Sequence, residues 1–69
     1  GTRHIAQKVG EEGVEAALAA VAQGPEELTG EAADLIFHLT VLLRERGLGL
    51  EDVVALLRAR HADPSLLHD

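Results

Sequence analysis

The chain has 69 residues, 46% of them hydrophobic, with no cysteine and a formal net charge of −6. A single core of this size seldom supplies more than about 3–5 kcal/mol, and disulfides and thiolate metal sites are excluded, so we expect oligomerisation to add stability. The acidic charge argues against nucleic acid or an anionic membrane as a direct partner, because both bind basic surfaces, and it favours cations.

A first helix is predicted for residues 5–23, which combine alanine and glutamate with apolar residues at helical spacing. The Gly24-Pro25 pair marks its end. Its charged residues fill one sector of about 100° on a helical wheel, namely Lys8, Glu11, Glu12 and Glu15. Another face carries only small residues, Ala6, Gly10, Gly13 and Ala17. We expect a second helix backbone to approach this small-residue face closely.

A second helix is predicted from an N-cap at Thr29 to residue 46, with Gly47 after it in the left-handed conformation. This helix is apolar around most of its circumference. One narrow strip is polar, and it holds Glu31, Asp34, His38 and Glu45. A helix this apolar should be buried, and in so short a chain its burial requires a partner chain. The pattern therefore predicts a homodimer or a larger homo-oligomer.

A third helix is predicted to begin with Glu51 and Asp52, whose charges suit a helix N-terminus, and to run to residue 61. Asp63-Pro64 closes it, and residues 62–69 are expected to be a tail. The sequence has no strand pattern. We therefore predict one all-α domain over residues 1–69, a small antiparallel helical bundle.

The carboxylates of the first two helices form pairs at helical spacing. Glu12 and Glu15 are three residues apart, as are Glu31 and Asp34, so each pair projects from one side of its helix. Two neighbouring helices could direct both pairs to a common point. Oxygen ligands without cysteine favour Mg²⁺ or Mn²⁺ over zinc. Such a site suits hydrolysis of a phosphoanhydride.

Simpler interpretations of the same residues remain open at this stage. Acids three or four residues apart often form a solvated helix face, and Glu31 and Asp34 could serve as first-turn acids. His38 is predicted to be a hydrogen-bonded core histidine, with contact to ligand or metal as the alternative. Lys8 could pair with Glu11 or Glu12 on the surface, or contact a phosphate.

The acids stand in two motifs, KVGEEGVE at residues 8–15 and EAADL at residues 31–35. Together they resemble the EExxE…ExxD pattern of the all-α, MazG-type nucleotide pyrophosphohydrolases. Longer segments, IAQKVGEE at 5–12, EAADLIFHL at 31–39 and LLRARH at 56–61, resemble the phosphoribosyl-ATP pyrophosphatases more closely. This likeness extends over residues 3–61.

The resemblance implies hydrolysis of phosphoribosyl-ATP between its α and β phosphates to phosphoribosyl-AMP and pyrophosphate, the second step of histidine biosynthesis. It implies Mg²⁺, with Mn²⁺ as the second choice, bound by Glu12, Glu15, Glu31 and Asp34. Glu11 would be a further ligand or would orient the attacking water, so Glu11 and Glu12 are the candidate catalytic residues. Lys8 would contact a phosphate. The family fold implies an antiparallel helical bundle completed by intertwined homo-oligomerisation.

Two departures and two alternative functions accompany this resemblance. Family members usually carry a further helix upstream, which we expect this chain to lack, and Gly13 replaces the alanine common in the motif. A general nucleoside triphosphate pyrophosphohydrolase is the nearest alternative function. A helical oligomerisation module without catalysis is the alternative from another class. A fused domain for the next pathway step fits the resemblance, and the lack of cysteine and of a signal peptide suits the cytoplasm.

Overall fold

The computed structural model describes residues 1–62, which form three helices: α1 (Thr2–Ala22), α2 (Pro25–Glu45) and α3 (Leu50–Ala62). No strand occurs in this part of the chain, and the all-α prediction is confirmed. The predicted helix stop at Asp63-Pro64 lies outside the described residues. None of the three helices is both long and apolar enough to pass through a lipid bilayer.

The start of α2 differs from the sequence prediction. Thr29 is not the N-cap: Gly24 takes that position and Pro25 begins the helix. Proline suits a first helical position, because the missing N–H would have no partner there and its φ is already helical. Glu27 Oε1 accepts a hydrogen bond from the Gly24 N–H at 3.0 Å. The Thr29 hydroxyl instead donates to the Pro25 carbonyl at 2.7 Å, inside the helix.

This earlier start changes the interpretation of the acids on α2. The first-turn acids are Glu26 and Glu27, whereas Glu31 and Asp34 lie one to two turns further along. The helix dipole acts mainly within the first turn. The interpretation of Glu31 and Asp34 as first-turn acids is therefore wrong, and their presence on an apolar helix needs another explanation.

The predicted stop at Gly47 is confirmed. Gly47 has φ 76°, a conformation that costs residues with a Cβ about 1–2 kcal/mol. The Leu48 N–H bonds the Leu43 carbonyl at 2.8 Å and the Gly47 N–H bonds the Arg44 carbonyl at 3.0 Å. These two bonds form a Schellman motif, which satisfies carbonyls that the end of α2 would otherwise leave unpaired.

Replacing Gly47 by alanine is expected to lower the free energy of unfolding by roughly 1 kcal/mol, because alanine is strained at positive φ. The matched control is Gly30→Ala inside α2, where a Cβ meets no atom within 4 Å. That control should raise stability by up to about 1 kcal/mol through helix propensity. Urea unfolding of both variants measures the difference, and equal shifts in the same direction would contradict the assigned helix end.

Helices α1 and α2 form an antiparallel hairpin across the two-residue link Gln23-Gly24, and they pack along each other. Helix α3 makes no comparably extensive contact with either. Among the hydrophobic residues of 1–62, only Ala19 is fully buried. The Cα radius of gyration is 14.0 Å, against about 11 Å for a compact chain of this length.

The two faces expected to be covered are open in the single chain. No residue of α2 is buried, and the large side chains of Ile36 and Phe37 are 54% and 62% exposed. No atom lies within 4 Å of a Cβ placed at Gly10 or Gly13, so no helix of the described chain approaches the small-residue face. The expected burial of α2 is therefore not achieved within the described part of one chain.

Candidate functional site

The register of the α1–α2 hairpin brings the predicted acids to the same levels. Glu15 on α1 and Glu31 on α2 lie at nearly equal distances along the chain from the Gln23-Gly24 link. Glu12 and Asp34 form a second such level, about one helical turn further from the link. In an antiparallel pair, residues equally far from the connection lie beside each other. By this count, two acids of α1 lie near the levels of two acids of α2.

The effect of this convergence is visible at Glu31, which is half-buried. A hydrogen-bond contact with the Glu15 side chain raises the pKa of Glu31, and partial burial raises it further. The negative charges of Glu15, Asp34 and Glu12 act in the same direction. Repulsion between carboxylates that share a site favours the protonated form of one of them. The charges of the other three predicted metal ligands, two of them on α1, thus act on Glu31.

A consequence for stability concerns Glu31 in the metal-free protein. Because its pKa is higher in the folded than in the unfolded state, the folded state holds the extra proton, and stability falls as pH rises through the raised value. We expect Glu31→Gln to melt higher than wild type at pH 7 without divalent cations, and to approach wild type below the ordinary carboxyl pKa. Melting temperatures measured across pH in chelator test this; a wild-type advantage at pH 7 would contradict it.

Glu12 also contacts the polar strip of α2. Its Oε1 lies 2.6 Å from Nδ1 of His38, and it is the only buried charged residue in the described part of the chain, at 9% exposure. The His38 side chain is 22% exposed. The prediction that His38 is hydrogen-bonded is confirmed. Its partner was not predicted, because the pairing depends on the register between two helices rather than on a motif within one.

Glu11 and Lys8 make no hydrogen bond or ion pair with the acids of α2 in the described part of the chain. Glu11 is exposed and accepts a hydrogen bond from Gln7 Nε2 at 3.2 Å. Lys8 is half-buried, and within residues 1–62 no lysine or arginine lies within ion-pair distance of a carboxylate. The surface pairing of Lys8 with Glu11 or Glu12 is therefore not formed. A role for Glu11 towards water and for Lys8 towards phosphate stays a prediction.

The donor set suits a hard divalent cation by its chemistry. Three other carboxylates act on Glu31, and a cation bound beside it would relieve this repulsion. Within residues 1–62, however, no three acids or histidines are already arranged around a point that could hold a metal. Mg²⁺ needs few protein ligands because it keeps several waters and binds substrate phosphates. The residue types thus suit Mg²⁺, but a site built from them would need further oxygen ligands, such as those of a polyphosphate.

Comparisons with known proteins identify the family of this chain. A model of the family described as phosphoribosyl-ATP pyrophosphohydrolase matches residues 1–61. Over 61 residues, or 88% of this chain, the sequence is 72% identical to the histidine biosynthesis bifunctional protein HisIE of Xanthomonas campestris pv. campestris. Over the same share, the proteins of that name from Vibrio cholerae and Escherichia coli K12 are 62% and 61% identical.

These relatives are much longer than the matched segment. The match covers 30% of the Xanthomonas and Escherichia proteins and 29% of the Vibrio protein, so the chain spans about a third of their length. The family match covers nearly the whole chain and contains every predicted site residue. The chain therefore belongs to the phosphoribosyl-ATP pyrophosphohydrolase family.

Proposed function

We propose that the protein hydrolyses phosphoribosyl-ATP between the α and β phosphates and releases phosphoribosyl-AMP and pyrophosphate, as a step of histidine biosynthesis. One observation carries this proposal: in the α1–α2 hairpin the Glu31 side chain makes a hydrogen-bond contact with Glu15 of the other helix and lies within electrostatic reach of Asp34 and Glu12. In a chain of this family, such a group has a direct use as the cation site of a polyphosphate hydrolase.

The same four carboxylates would hold the cation, with Mg²⁺ preferred and Mn²⁺ second. When bound, the cation supplies positive charge that polarises the phosphate oxygens and offsets the charge that develops during cleavage. Glu11, one residue from this group and exposed, would orient the attacking water, and Glu12 would share in this role. Lys8, which lies on the preceding turn of α1, would contact a phosphate of the substrate.

Electrostatics explain why the cation and the substrate depend on each other. Glu15 and Glu31 together would repel the anionic triphosphate of phosphoribosyl-ATP, so a substrate without a cation should bind poorly. Without substrate, the cation would bind weakly, because the acids are not arranged to coordinate one ion. When the cation and the substrate bind together, the cation offsets the repulsion between the acids and the phosphates, and the phosphates add the missing oxygen ligands of the cation.

We propose that the protein acts as a homodimer or a larger homo-oligomer. The open apolar side of α2 supports this oligomeric state, because the side chains of Ile36 and Phe37 are more than half exposed in the single chain. Contact with a second copy would bury this surface, at about 25 cal/mol per Å² of apolar area, and would complete an intertwined bundle. We also propose a cytoplasmic location, where histidine biosynthesis would supply the substrate.

Substrate preference separates the proposal from a general triphosphate hydrolase. With Mg²⁺ present, we expect the whole protein to release pyrophosphate from phosphoribosyl-ATP with a kcat/KM at least about 100-fold above those for ATP, GTP and noncanonical triphosphates, a difference of about 2.7 kcal/mol in transition-state binding. Equal values across the panel would favour the general enzyme. No release from any of them, and no rise in melting temperature with Mg²⁺ and nucleotide, would favour an oligomerisation module.

A further inference from the structure

We propose that His38 is a positioning residue that fixes the carboxylate of Glu12 for cation binding, an inference that rests on the proposed function. The sequence motifs alone do not indicate this role for His38. It comes from one contact across the hairpin, the 2.6 Å approach of His38 Nδ1 to Glu12 Oε1. His38 acts through Glu12 and is not itself assigned to the cation or the substrate.

The neighbours of Nδ1 determine which ring nitrogen carries the proton. Nδ1 of His38 lies 2.6 Å from Glu12 Oε1 and 3.2 Å from the backbone carbonyl of Asp34. A carboxylate and a carbonyl can only accept hydrogen bonds. Nδ1 must therefore carry the hydrogen and donate it, chiefly to Glu12. The tautomer is assigned from this hydrogen-bond network.

This donor counters the forces that would turn Glu12 away. Glu12 is buried and lies within electrostatic reach of Glu31. A glutamate side chain has several rotatable bonds, and repulsion between the acids favours rotamers that separate them. The hydrogen bond holds Oε1 towards His38 and so fixes the plane of the carboxylate. Carboxylates that bind metals are commonly held by hydrogen bonds of this kind.

His38 is itself held on α2. Its Nδ1 reaches back to the carbonyl of Asp34, one turn earlier, and its ring lies edge-on to the Phe37 ring, with centroids 5.0 Å apart and planes at 78°. His38 therefore links Glu12, a proposed ligand on α1, to the backbone of Asp34, a proposed ligand on α2.

Two substitutions separate the hydrogen bond from the bulk of the ring. In His38→Asn the amide nitrogen can occupy the place of Nδ1 and keep a donor towards Glu12. In His38→Gln the amide lies further out, near the place of Nε2, and the donor is lost. Loss of such a partner typically weakens metal binding by about 10–100-fold. We expect this loss for His38→Gln, and wild-type affinity for His38→Asn.

The experiment uses the whole protein and has two readouts besides activity. Binding of Mn²⁺ in the presence of pyrophosphate is followed by the loss of the free-ion signal in electron paramagnetic resonance, with melting temperature as the check on folding. Nuclear magnetic resonance of ¹⁵N-histidine in the metal-free protein reports the tautomer, with His38→Gln identifying the signal. We expect the hydrogen of neutral His38 on Nδ1.

The outcomes decide between positioning and a merely structural role. Weaker Mn²⁺ binding in His38→Gln, restored in His38→Asn, supports the proposal. Equal binding in wild type and His38→Gln, or equal loss in both variants, overturns it, as does a neutral ring with its hydrogen on Nε2. In these cases the proposed function stands if wild type still cleaves phosphoribosyl-ATP. A wild-type protein that neither binds Mn²⁺ nor releases pyrophosphate refutes the proposed function, and the positioning role with it.

Discussion

Replacing Glu15 by glutamine is expected to reduce release of pyrophosphate from phosphoribosyl-ATP by at least about 100-fold, since even partners of metal ligands often cost 10–100-fold when mutated. Glu15 lies level with Glu31 and is the leading cause of its raised pKa. The amide keeps the size of the side chain but removes a charge from the cation site. Turnover and Mg²⁺ dependence of the whole protein measure the effect.

The matched control for this change is Glu45→Gln. Glu45 is exposed and ends the same polar strip of α2, but it lies 11 residues beyond Asp34, about 16 Å along the helix. Its substitution removes the same charge from the chain and should leave turnover unchanged. An equal fall in both variants would point to net charge rather than to the proposed site, and an active Glu15→Gln would refute the assignment of Glu15.

Replacing Phe37 by aspartate is expected to dissociate the protein and to lower its melting temperature strongly. In the single chain the Phe37 side chain is 62% exposed, so an isolated chain would tolerate a charge there. In the proposed homo-oligomer the same position is covered by a second copy, where an unpaired charge costs about 3–5 kcal/mol. Light scattering after gel filtration, with thermal unfolding, measures both effects.

Val21→Asp provides the contrast. Val21 is 87% exposed in the last turn of α1, near the link, whereas Phe37 lies further from the link, about one helical turn beyond Asp34. The substitution introduces the same charge at an apolar position, and we expect the mass in solution to stay that of wild type. A Phe37→Asp protein that keeps the wild-type mass and stability would show that this face of α2 is not an interface.

The helices themselves could be predicted from the sequence because each rests on local signals. Apolar spacing indicated all three helices, and Gly47 marked the end of α2 through its tolerance of positive φ. The start of α2 is harder to predict because Gly24-Pro25 also marks the end of α1. A proline that follows a glycine N-cap can equally begin the next helix, and the first-turn acid Glu27 supported that start.

The candidate site was predictable in part. The spacing of the four acids indicated that each pair shares a helix side, and the structure shows a contact between one acid of each pair, Glu15 and Glu31. The contact of Glu12 with His38 was not predictable, because it depends on how far α1 is shifted along α2. The partner of the apolar surface of α2 could not be identified from one chain either. In the proposed homo-oligomer, the residues that cover this surface belong to a second copy.

The most direct test of the account measures the products of phosphoribosyl-ATP with the whole protein in Mg²⁺, in chelator, and in chelator with Mg²⁺ restored. We expect phosphoribosyl-AMP and pyrophosphate in equal amounts with Mg²⁺, neither product in chelator, and full recovery when Mg²⁺ returns, because the proposed ligands Glu12, Glu15, Glu31 and Asp34 would repel the triphosphate without a cation. Cleavage that continues undiminished in chelator, or release of single phosphate instead of pyrophosphate, would contradict the account.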